Sequence, residues 1–208
     1  MEITGRDVLV VVDVQNDFCP GGTLPVPDGD AVIPVIHRVA ERFENIVATQ
    51  DWHPAGHCSF ASSYSGKHPL EVVELASGPQ RLWPDHCVQG TRGAELHPAL
   101  RLSRAQLILR QGFRKDVDSY SAFFENDRRT PTGLSGYCRE RGLERVFLAG
   151  LAYDFCVGFS AIDARQRGLE AVVIRDACRA IDVDGSVAAM EAKLAGRGVQ
   201  VVESGEVS

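Results

Sequence analysis

The amino-acid sequence predicts an α/β fold of three layers, in which helices cover both faces of a six-stranded, mainly parallel sheet. Three observations lead to this prediction. Short apolar runs alternate along the chain with segments of helical periodicity. No linker or internal repeat divides the 208 residues, so a single domain is expected. Hydrophobic residues make up 44% of the chain, which is typical of a globular protein with one sizeable core.

Six apolar runs are expected to form the strands of this sheet. The first, at residues 7–14, reads DVLVVVDV, a β-branched composition typical of a strand buried on both faces. The other five runs lie at residues 45–50, 105–110, 145–150, 171–175 and 199–202. Helical segments are predicted at residues 31–43, 132–142, 154–168 and 184–198. Because a helix that joins two strands of one sheet leaves them parallel, neighbouring strands are expected to run in the same direction.

The composition argues against several classes of function. A net charge of −6 lacks the basic excess that nucleic-acid and anionic-membrane binding require. No apolar run approaches the length of a membrane span. The first residues, MEITGRDVLVVVDV, do not follow the pattern of a secretory signal peptide. A cytoplasmic protein with neither a nucleic-acid nor a membrane partner is therefore expected.

Six cysteines are spread along the chain, and none belongs to a C-x-x-C pair of the kind found in zinc ribbons and thioredoxins. In the cytoplasm thiols stay reduced, and a free cysteine is most often a small buried hydrophobe. We expect about five of the six to be structural and one to have a chemical role. The six are Cys19, Cys58, Cys87, Cys138, Cys156 and Cys178.

Four polar residues follow predicted strands at the point where each strand ends. Asp13 closes the first strand, Asp51 the second, Gln111 the third, and Cys156 follows the fourth at the start of a helix. In open α/β sheets, ligands bind at the carboxyl ends of the strands. The sequence therefore predicts that these four side chains converge on one site.

Cys156 is the candidate nucleophile of that site. A helix N-terminus stabilises a thiolate, and its free N–H groups can bind an oxyanion. Asp13 could accept the thiol proton or pass a proton to a leaving group. The alternative is that Cys156 packs in the core and Asp13 caps a turn.

A long irregular insertion at residues 51–103 contains candidate metal ligands. Asp51 and His53 form an Asp-x-His pair, with His57 close behind and His86 further on. One carboxylate and two imidazoles suit zinc, iron or manganese, and three protein ligands leave room for water or substrate. His57 could instead orient another ligand. The alternative is that the histidines are ordinary core or surface residues.

Aromatic side chains lie near these polar motifs. Phe18 and Trp83 are each close to one of them, and Tyr120 lies further along the chain. Such residues can form the walls of a pocket for a flat ring. The alternative is that they only pack in the core.

These motifs together resemble the nicotinamidase (pyrazinamidase) branch of the isochorismatase-like cysteine hydrolases. The resemblance covers nearly the whole chain in the expected order. It is based on five segments: Asp13-Val-Gln-Asn-Asp-Phe18, Gln50-Asp-Trp-His53-Pro-Ala-Gly-His57, Trp83-Pro-Asp-His86-Cys, Asp118-Ser-Tyr120-Ser-Ala-Phe123, and Gly150-Leu-Ala-Tyr-Asp-Phe-Cys156.

The resemblance implies a single isochorismatase-like hydrolase domain and a covalent mechanism. Asp13 would be the general base and acid. Cys156 would attack the carboxamide carbon of nicotinamide and release ammonia, leaving a thioester that water hydrolyses. The N–H groups of Ala152 and Cys156 would form the oxyanion hole, next to a cis peptide bond that usually precedes the residue matching Ala152.

The resemblance also implies how the substrate ring is bound. Asp51, His53 and His86 would bind one divalent metal ion, for which zinc is the first expectation and iron or manganese the alternatives. The ring nitrogen would coordinate this ion. Phe18 and Trp83 would sandwich the ring, and Tyr120 is a further substrate contact. In some relatives the residue matching His57 is a fourth ligand.

One position departs from the family pattern. The family's catalytic triad is Asp, Lys and Cys, but Gln111 occupies the lysine position here, just before Gly112. A glutamine carries no charge and cannot stabilise the Asp13 and Cys156 anions as an ammonium does. Lys115, four residues downstream, could take the missing role if its loop bends back.

Three functions therefore remain open. The first is hydrolysis of nicotinamide to nicotinate and ammonia for NAD salvage, with pyrazinamide as a second substrate. The second is hydrolysis of another small amide by the same cysteine. The third is a nicotinamide-binding homologue whose catalysis is impaired by Gln111. The sequence fits either a monomer or a homo-oligomer.

Overall fold

The computed structural model describes residues 1–208 and consists of a six-stranded sheet, four α-helices and a separate two-stranded hairpin. The strand order of the sheet is β5-β2-β1-β6-β7-β8, and every neighbouring pair is parallel. The predicted α/β fold and its six-stranded sheet are confirmed. The strands of the sheet are β1 (Asp7–Val12), β2 (Asn45–Asp51), β5 (Leu107–Gln111), β6 (Arg145–Leu151), β7 (Glu170–Arg179) and β8 (Gln200–Val202).

The four α-helices lie within the segments predicted to be helical, and each is shorter than predicted. Their bounds are α1 (Ile33–Ala40), α2 (Leu134–Glu140), α3 (Gly158–Gln166) and α4 (Ser186–Gly196). Short 3-10 or π-helical turns take up part of the difference, because the backbone at Gly29–Val32 and Tyr153–Val157 is helical but not α-helical.

β1 separates two layers of buried side chains. Val8, Val10 and Val12 point to one face, where they pack in a core shared with α2, α3 and α4. Leu9 and Val11 point to the other face and pack in a core shared with α1. The alternation follows from the two-residue period of a strand, and both faces are apolar because helices cover both.

The insertion at residues 51–103 contains a hairpin that the sequence does not predict. It is formed by β3 (Val72–Leu75) and β4 (Gly78–Arg81), which pair antiparallel. The second strand reads GPQR, and glycine and proline are disfavoured in strands. The rest of the insertion crosses the carboxyl ends of the strands as turns and isolated bridges.

None of the helices has the length and apolar character needed to cross a membrane.

Candidate active site

A pocket opens at the carboxyl ends of the central strands, where the sequence predicts a ligand site. Its wall combines polar side chains from the strand ends with aromatic side chains from the loops. The lining residues are Phe18, Leu24, Asp51, His53, Trp83, His86, Asp118, Ser119, Tyr120, Ala152, Phe155, Cys156 and Ile181.

Cys156 lies in a π-helical turn that connects β6 to α3. The turn is closed by a hydrogen bond of 3.1 Å from the N–H of Val157 to the carbonyl of Ala152, five residues earlier. The peptide bond between Leu151 and Ala152 is cis, and the N–H of Ala152 donates no hydrogen bond within the protein. The turn therefore presents a thiol and a free backbone donor to the same pocket.

Asp13 lies below the pocket and is completely buried. Its carboxylate accepts hydrogen bonds from Thr49 Oγ1 at 2.6 Å and from Gln111 Nε2 at 2.8 Å. Burial and the nearby charge of Asp51 raise the pKa of Asp13 to about 7. Burial and the Asp13 carboxylate also raise the pKa of the Cys156 thiol well above its usual value. The thiol therefore keeps its proton in the resting site, and the raised pKa of Asp13 makes its carboxylate a stronger base for accepting that proton.

Three candidate metal ligands converge at the other side of the pocket. The Nε2 atoms of His53 and His86 lie 2.9 Å and 3.4 Å from Oδ2 of Asp51. Burial alone would lower the pKa of His53, but the Asp51 carboxylate raises it to about 9. Burial would raise the pKa of Asp51, but the two imidazoles hold it well below its usual range. The Asp51 carboxylate therefore attracts positive charge to the space beside the two imidazoles, as a cation site requires.

The orientation of the three side chains fits a bound metal ion. Nδ1 of His53 lies 2.8 Å from the carbonyl of Gly112, and Nδ1 of His86 lies 2.8 Å from the carbonyl of Pro84. Metal-binding histidines commonly donate one ring N–H in this way, which turns the other nitrogen to the metal. Oδ1 of Asp51 is buried without any hydrogen-bond partner. The other oxygen, Oδ2, faces the Nε2 atoms of both histidines and is available as a ligand, so the donor set fits zinc, iron or manganese.

His57 lies beside these three side chains, but its hydrogen bonds differ from theirs. Its ring stacks on that of His53, with centroids 4.1 Å apart. Its Nε2 lies 3.2 Å from the carbonyl of Val117, and its Nδ1 lies 2.8 Å from Oγ of Ser59. Since a carbonyl oxygen can only accept, Nε2 of His57 holds a proton there. Both ring nitrogens are thus bound to protein atoms, and His57 supports the ring of His53 from one side.

Comparison with known proteins identifies the family of this chain. Residues 7–206 match the isochorismatase domain family. A nicotinamidase of Acinetobacter baylyi is 54% identical over 98% of this chain and 95% of its own. A solved nicotinamidase/pyrazinamidase structure from Acinetobacter baumanii is 50% identical, with a TM-score of 0.97 and 98% of each chain covered.

This chain belongs to the isochorismatase family.

Two further solved structures contain bound ligands. The PnC1 protein of L. infantum was solved in complex with nicotinate; it is 40% identical, with a TM-score of 0.88, covering all of this chain and 98% of that one. The pyrazinamidase of Pyrococcus horikoshii was solved in complex with zinc; it is 35% identical, with a TM-score of 0.75 over 95% and 99% of the two chains. The isochorismatase fold of this chain is therefore shared with proteins that bind a pyridine ring or a metal ion.

Gln111 occupies the position at which the resemblance in sequence implies a catalytic lysine. Its Nε2 donates to Asp13, whereas its Oε1 is buried without a partner. Lys115 is exposed and lies over Gly56, where its ammonium would be 3.8 Å from a Cβ added to that glycine. The possibility that Lys115 takes the role of the missing lysine is not realised in this structure, because Lys115 is exposed and lies by Gly56, whereas Asp13 is buried. The only contact that the side chain at position 111 makes with Asp13 is a neutral hydrogen bond.

Gly112 allows the ends of β5 and β2 to meet. Its φ is +64°, and a Cβ at this position would lie 2.5 Å from the ring of His53 and 2.9 Å from Oδ1 of Asp51. Only glycine is compatible with both the backbone conformation and the close approach.

The aromatic wall includes the three predicted residues and one that the sequence analysis missed. Phe18 lies against His86, with ring centroids 5.5 Å apart. Trp83 Nε1 donates to the hydroxyl of Tyr120 at 2.8 Å, and Phe155 packs edge-on against Trp83 at 5.1 Å. Phe155 directly precedes Cys156, and this proximity was the signal that could have identified it.

Other residues of the site were also missed. Leu24 and Ile181 come from loops that the apolar pattern does not place, so the sequence held no signal for them. Thr49 was detectable as a polar residue inside an apolar strand, and Asp118 as the first residue of a recognised motif.

Proposed function

We propose that this protein is a nicotinamidase, which hydrolyses nicotinamide to nicotinate and ammonia and acts in NAD salvage. The observation that supports this most directly is the shared pocket. It combines a cysteine and its proton acceptor, at the strand ends, with a metal-ligand group and an aromatic wall suited to a pyridine ring. The names of the similar proteins and the nicotinate in one solved relative support the same substrate.

The first half of the reaction forms a thioester. Asp13 accepts the thiol proton of Cys156, and the sulfur attacks the carboxamide carbon. The N–H groups of Ala152 and Cys156 stabilise the negative charge that develops on the amide oxygen. Asp13 then gives the proton to the leaving nitrogen, and ammonia departs as the carbon–nitrogen bond breaks.

The second half uses water. Asp13 accepts a proton from a water molecule, whose oxygen attacks the thioester carbon. The carbon–sulfur bond breaks, the proton returns from Asp13 to the sulfur of Cys156, and the carboxylic acid leaves and loses its remaining proton to solvent as nicotinate.

Asp51, His53 and His86 are proposed to hold one divalent metal ion, and the zinc in one solved relative makes zinc the first choice. When bound, such an ion supplies a Lewis acid that the ring nitrogen of a pyridine can coordinate. Phe18 and Trp83 would hold the ring from its two faces, with Tyr120 fixing the indole of Trp83.

The test is ammonia release from purified, zinc-loaded protein supplied with nicotinamide, pyrazinamide or benzamide. Benzamide has the same shape but no ring nitrogen, so it serves as the matched control. We expect release from nicotinamide and pyrazinamide, loss of release with a chelator, and little release from benzamide. Release from other amides but never from nicotinamide would favour the related cysteine amidohydrolase instead.

Gln111 favours a second candidate function, which is nicotinamide binding with little turnover. The neutral amide beside Asp13 leaves the pKa of that carboxyl raised, and no ammonium is available to stabilise the charged states. Calorimetric titration with nicotinamide, run beside the ammonia assay, distinguishes the two candidate functions. Stoichiometric binding without measurable ammonia would establish the second function.

The proposed partner is a small pyridinecarboxamide substrate. The enzyme is proposed to act in the cytoplasm as a monomer or a homo-oligomer. Neither nucleic acid nor a membrane is proposed as a partner.

A further inference from the structure

Asp118 is a buried carboxylate beside the candidate metal ligands, and the proposed reaction assigns it no role. It is 2% exposed and lines the pocket. Its Oδ1 lies 3.9 Å from Nε2 of His53, the ring nitrogen that faces Asp51. With His53 and His57 it forms a second group whose potential ligand atoms all lie within 4.8 Å of one another.

The charge of Asp118 lacks a permanent cationic partner. Its oxygens accept hydrogen bonds from the amide of Gln80 at 2.7 Å and from the N–H of Ser119 at 2.8 Å, both neutral donors. The only ion-pair distance that it makes is the one to His53. A buried carboxylate is costly unless a positive charge lies nearby, and a neutral, metal-binding imidazole would not provide one.

A divalent cation would complete the charge balance of the site. Asp51 contributes one negative charge to the ligand group, and neutral histidines contribute none, so a divalent ion would leave one positive charge uncompensated. We infer that Asp118 is a second carboxylate of the metal centre, outside the direct ligand set, which neutralises this remaining charge and so increases metal affinity. This inference rests on the proposed function of Asp51, His53 and His86 as the metal ligands.

A purely structural role for Asp118 makes a different prediction. Gln80 lies on β4 and also donates to the hydroxyl of Tyr120, so Asp118 could serve only to fix the hairpin on the pocket wall. The variant Gln80→Met removes this hydrogen bond and keeps the carboxylate. The variant Asp118→Asn removes the charge and keeps a side chain of the same shape, with an oxygen that can accept a hydrogen bond.

The experiment measures the Kd for Zn²⁺ of the metal-free, full-length protein by competition with a chromophoric chelator. For Asp118→Asn we expect affinity about 10–100-fold weaker than in the wild type, the usual effect of losing a residue that supports a metal ligand. For Gln80→Met we expect a Kd close to that of the wild type. Asp118→Ser replaces Asp118→Asn if circular dichroism shows that the latter is not folded, with the same expectation.

Two results would overturn the inference. Unchanged affinity in the neutral variants would mean that the charge of Asp118 does not act on the metal. An equal loss in Gln80→Met would assign the effect to docking of the hairpin. Absence of Zn²⁺ binding in the wild type is a separate outcome, since it would remove the proposed metal centre and this inference with it.

Discussion

The two sides of the pocket differ in how completely they match the family pattern. On the metal side, His53 and His86 are oriented by backbone carbonyls, and the Nε2 atoms of both face the carboxylate of Asp51. On the cysteine side, Asp13 contacts Gln111, a neutral amide at the position where the resemblance in sequence implies an ammonium. The difference predicts that recognition of the ring and chemistry on the amide are separable in this protein, and that Gln111 affects the second more than the first.

The largest effect is expected from Cys156→Ala, which tests the cysteine side alone. Removing the nucleophile should lower the wild-type rate of ammonia release by at least about 10,000-fold, because no covalent route remains. Nicotinamide binding, measured by calorimetry, should persist. The matched control is Cys138→Ala, which removes a buried thiol in α2 outside the pocket. Substantial turnover in Cys156→Ala would exclude the cysteine from its proposed role.

The second-largest effect is expected from a variant on the metal side of the pocket. His86→Ala should weaken Zn²⁺ binding by more than about 100-fold and lower nicotinamide affinity in parallel, because one of three ligands is lost. Bound metal can be measured by atomic absorption after dialysis, and nicotinamide binding by titration. His97→Ala, in the same insertion but outside the ligand group, is the control. Full metal occupancy in His86→Ala would contradict the ligand assignment.

Gln111→Lys tests the difference between the two sides directly. An ammonium beside Asp13 would stabilise the charged states of the reaction, so kcat for nicotinamide should rise by about 100-fold. Gln111→Met, which is neutral and cannot donate to Asp13, should lower the rate instead. If Gln111→Lys leaves kcat unchanged, the missing charge does not limit this enzyme.

The pH profile should report the same difference. Asp13 must lose its proton to accept one from Cys156, and its pKa is raised to about 7, so kcat/KM should increase as the pH rises through about 7. In Gln111→Lys the ammonium favours the ionised carboxylate, and this rise should move to lower pH by about one unit. An unchanged midpoint in that variant would mean that another group controls the acidic side of the profile.

The smallest effect is expected at the aromatic wall of the pocket. Tyr120→Phe removes the acceptor of the Trp83 indole N–H and leaves that donor unpaired. A cost of about 1 kcal/mol should raise the KM for nicotinamide by about fivefold with little change in kcat. Tyr137→Phe, whose hydroxyl is buried in α2 without a partner, should leave both constants unchanged.

Local patterns in the sequence predicted most of the features whose position depends on the sheet. Strand ends were recognisable from apolar runs, and parallel strands place their ends at one edge, so Asp13, Asp51, Gln111 and Cys156 could be assigned to one site. The hairpin β3–β4 could not be predicted, because its strands are short and one contains a proline.

Patterns in the sequence could not predict the contacts between loops. The π-helical turn at Cys156 depends on two five-residue hydrogen bonds, from Val157 to Ala152 and from Gly158 to Tyr153, which no apolar pattern encodes. The exposed position of Lys115 likewise depends on how its loop packs against Gly56 and Cys58. Its short distance from Gln111 along the chain does not reveal this packing.

The end of β5 supplies consecutive residues to both sides of the pocket. The side chain of Gln111 reaches Asp13, and the carbonyl of Gly112 orients His53. Asp51 pairs directly with Gln111 across the two strands, so both contacts depend on one alignment of β5 against β2. Inserting or deleting one residue in β5 would turn Gln111 to the opposite face of the sheet and separate Gly112 from His53. Libraries that vary this strand should therefore exchange side chains and preserve its length.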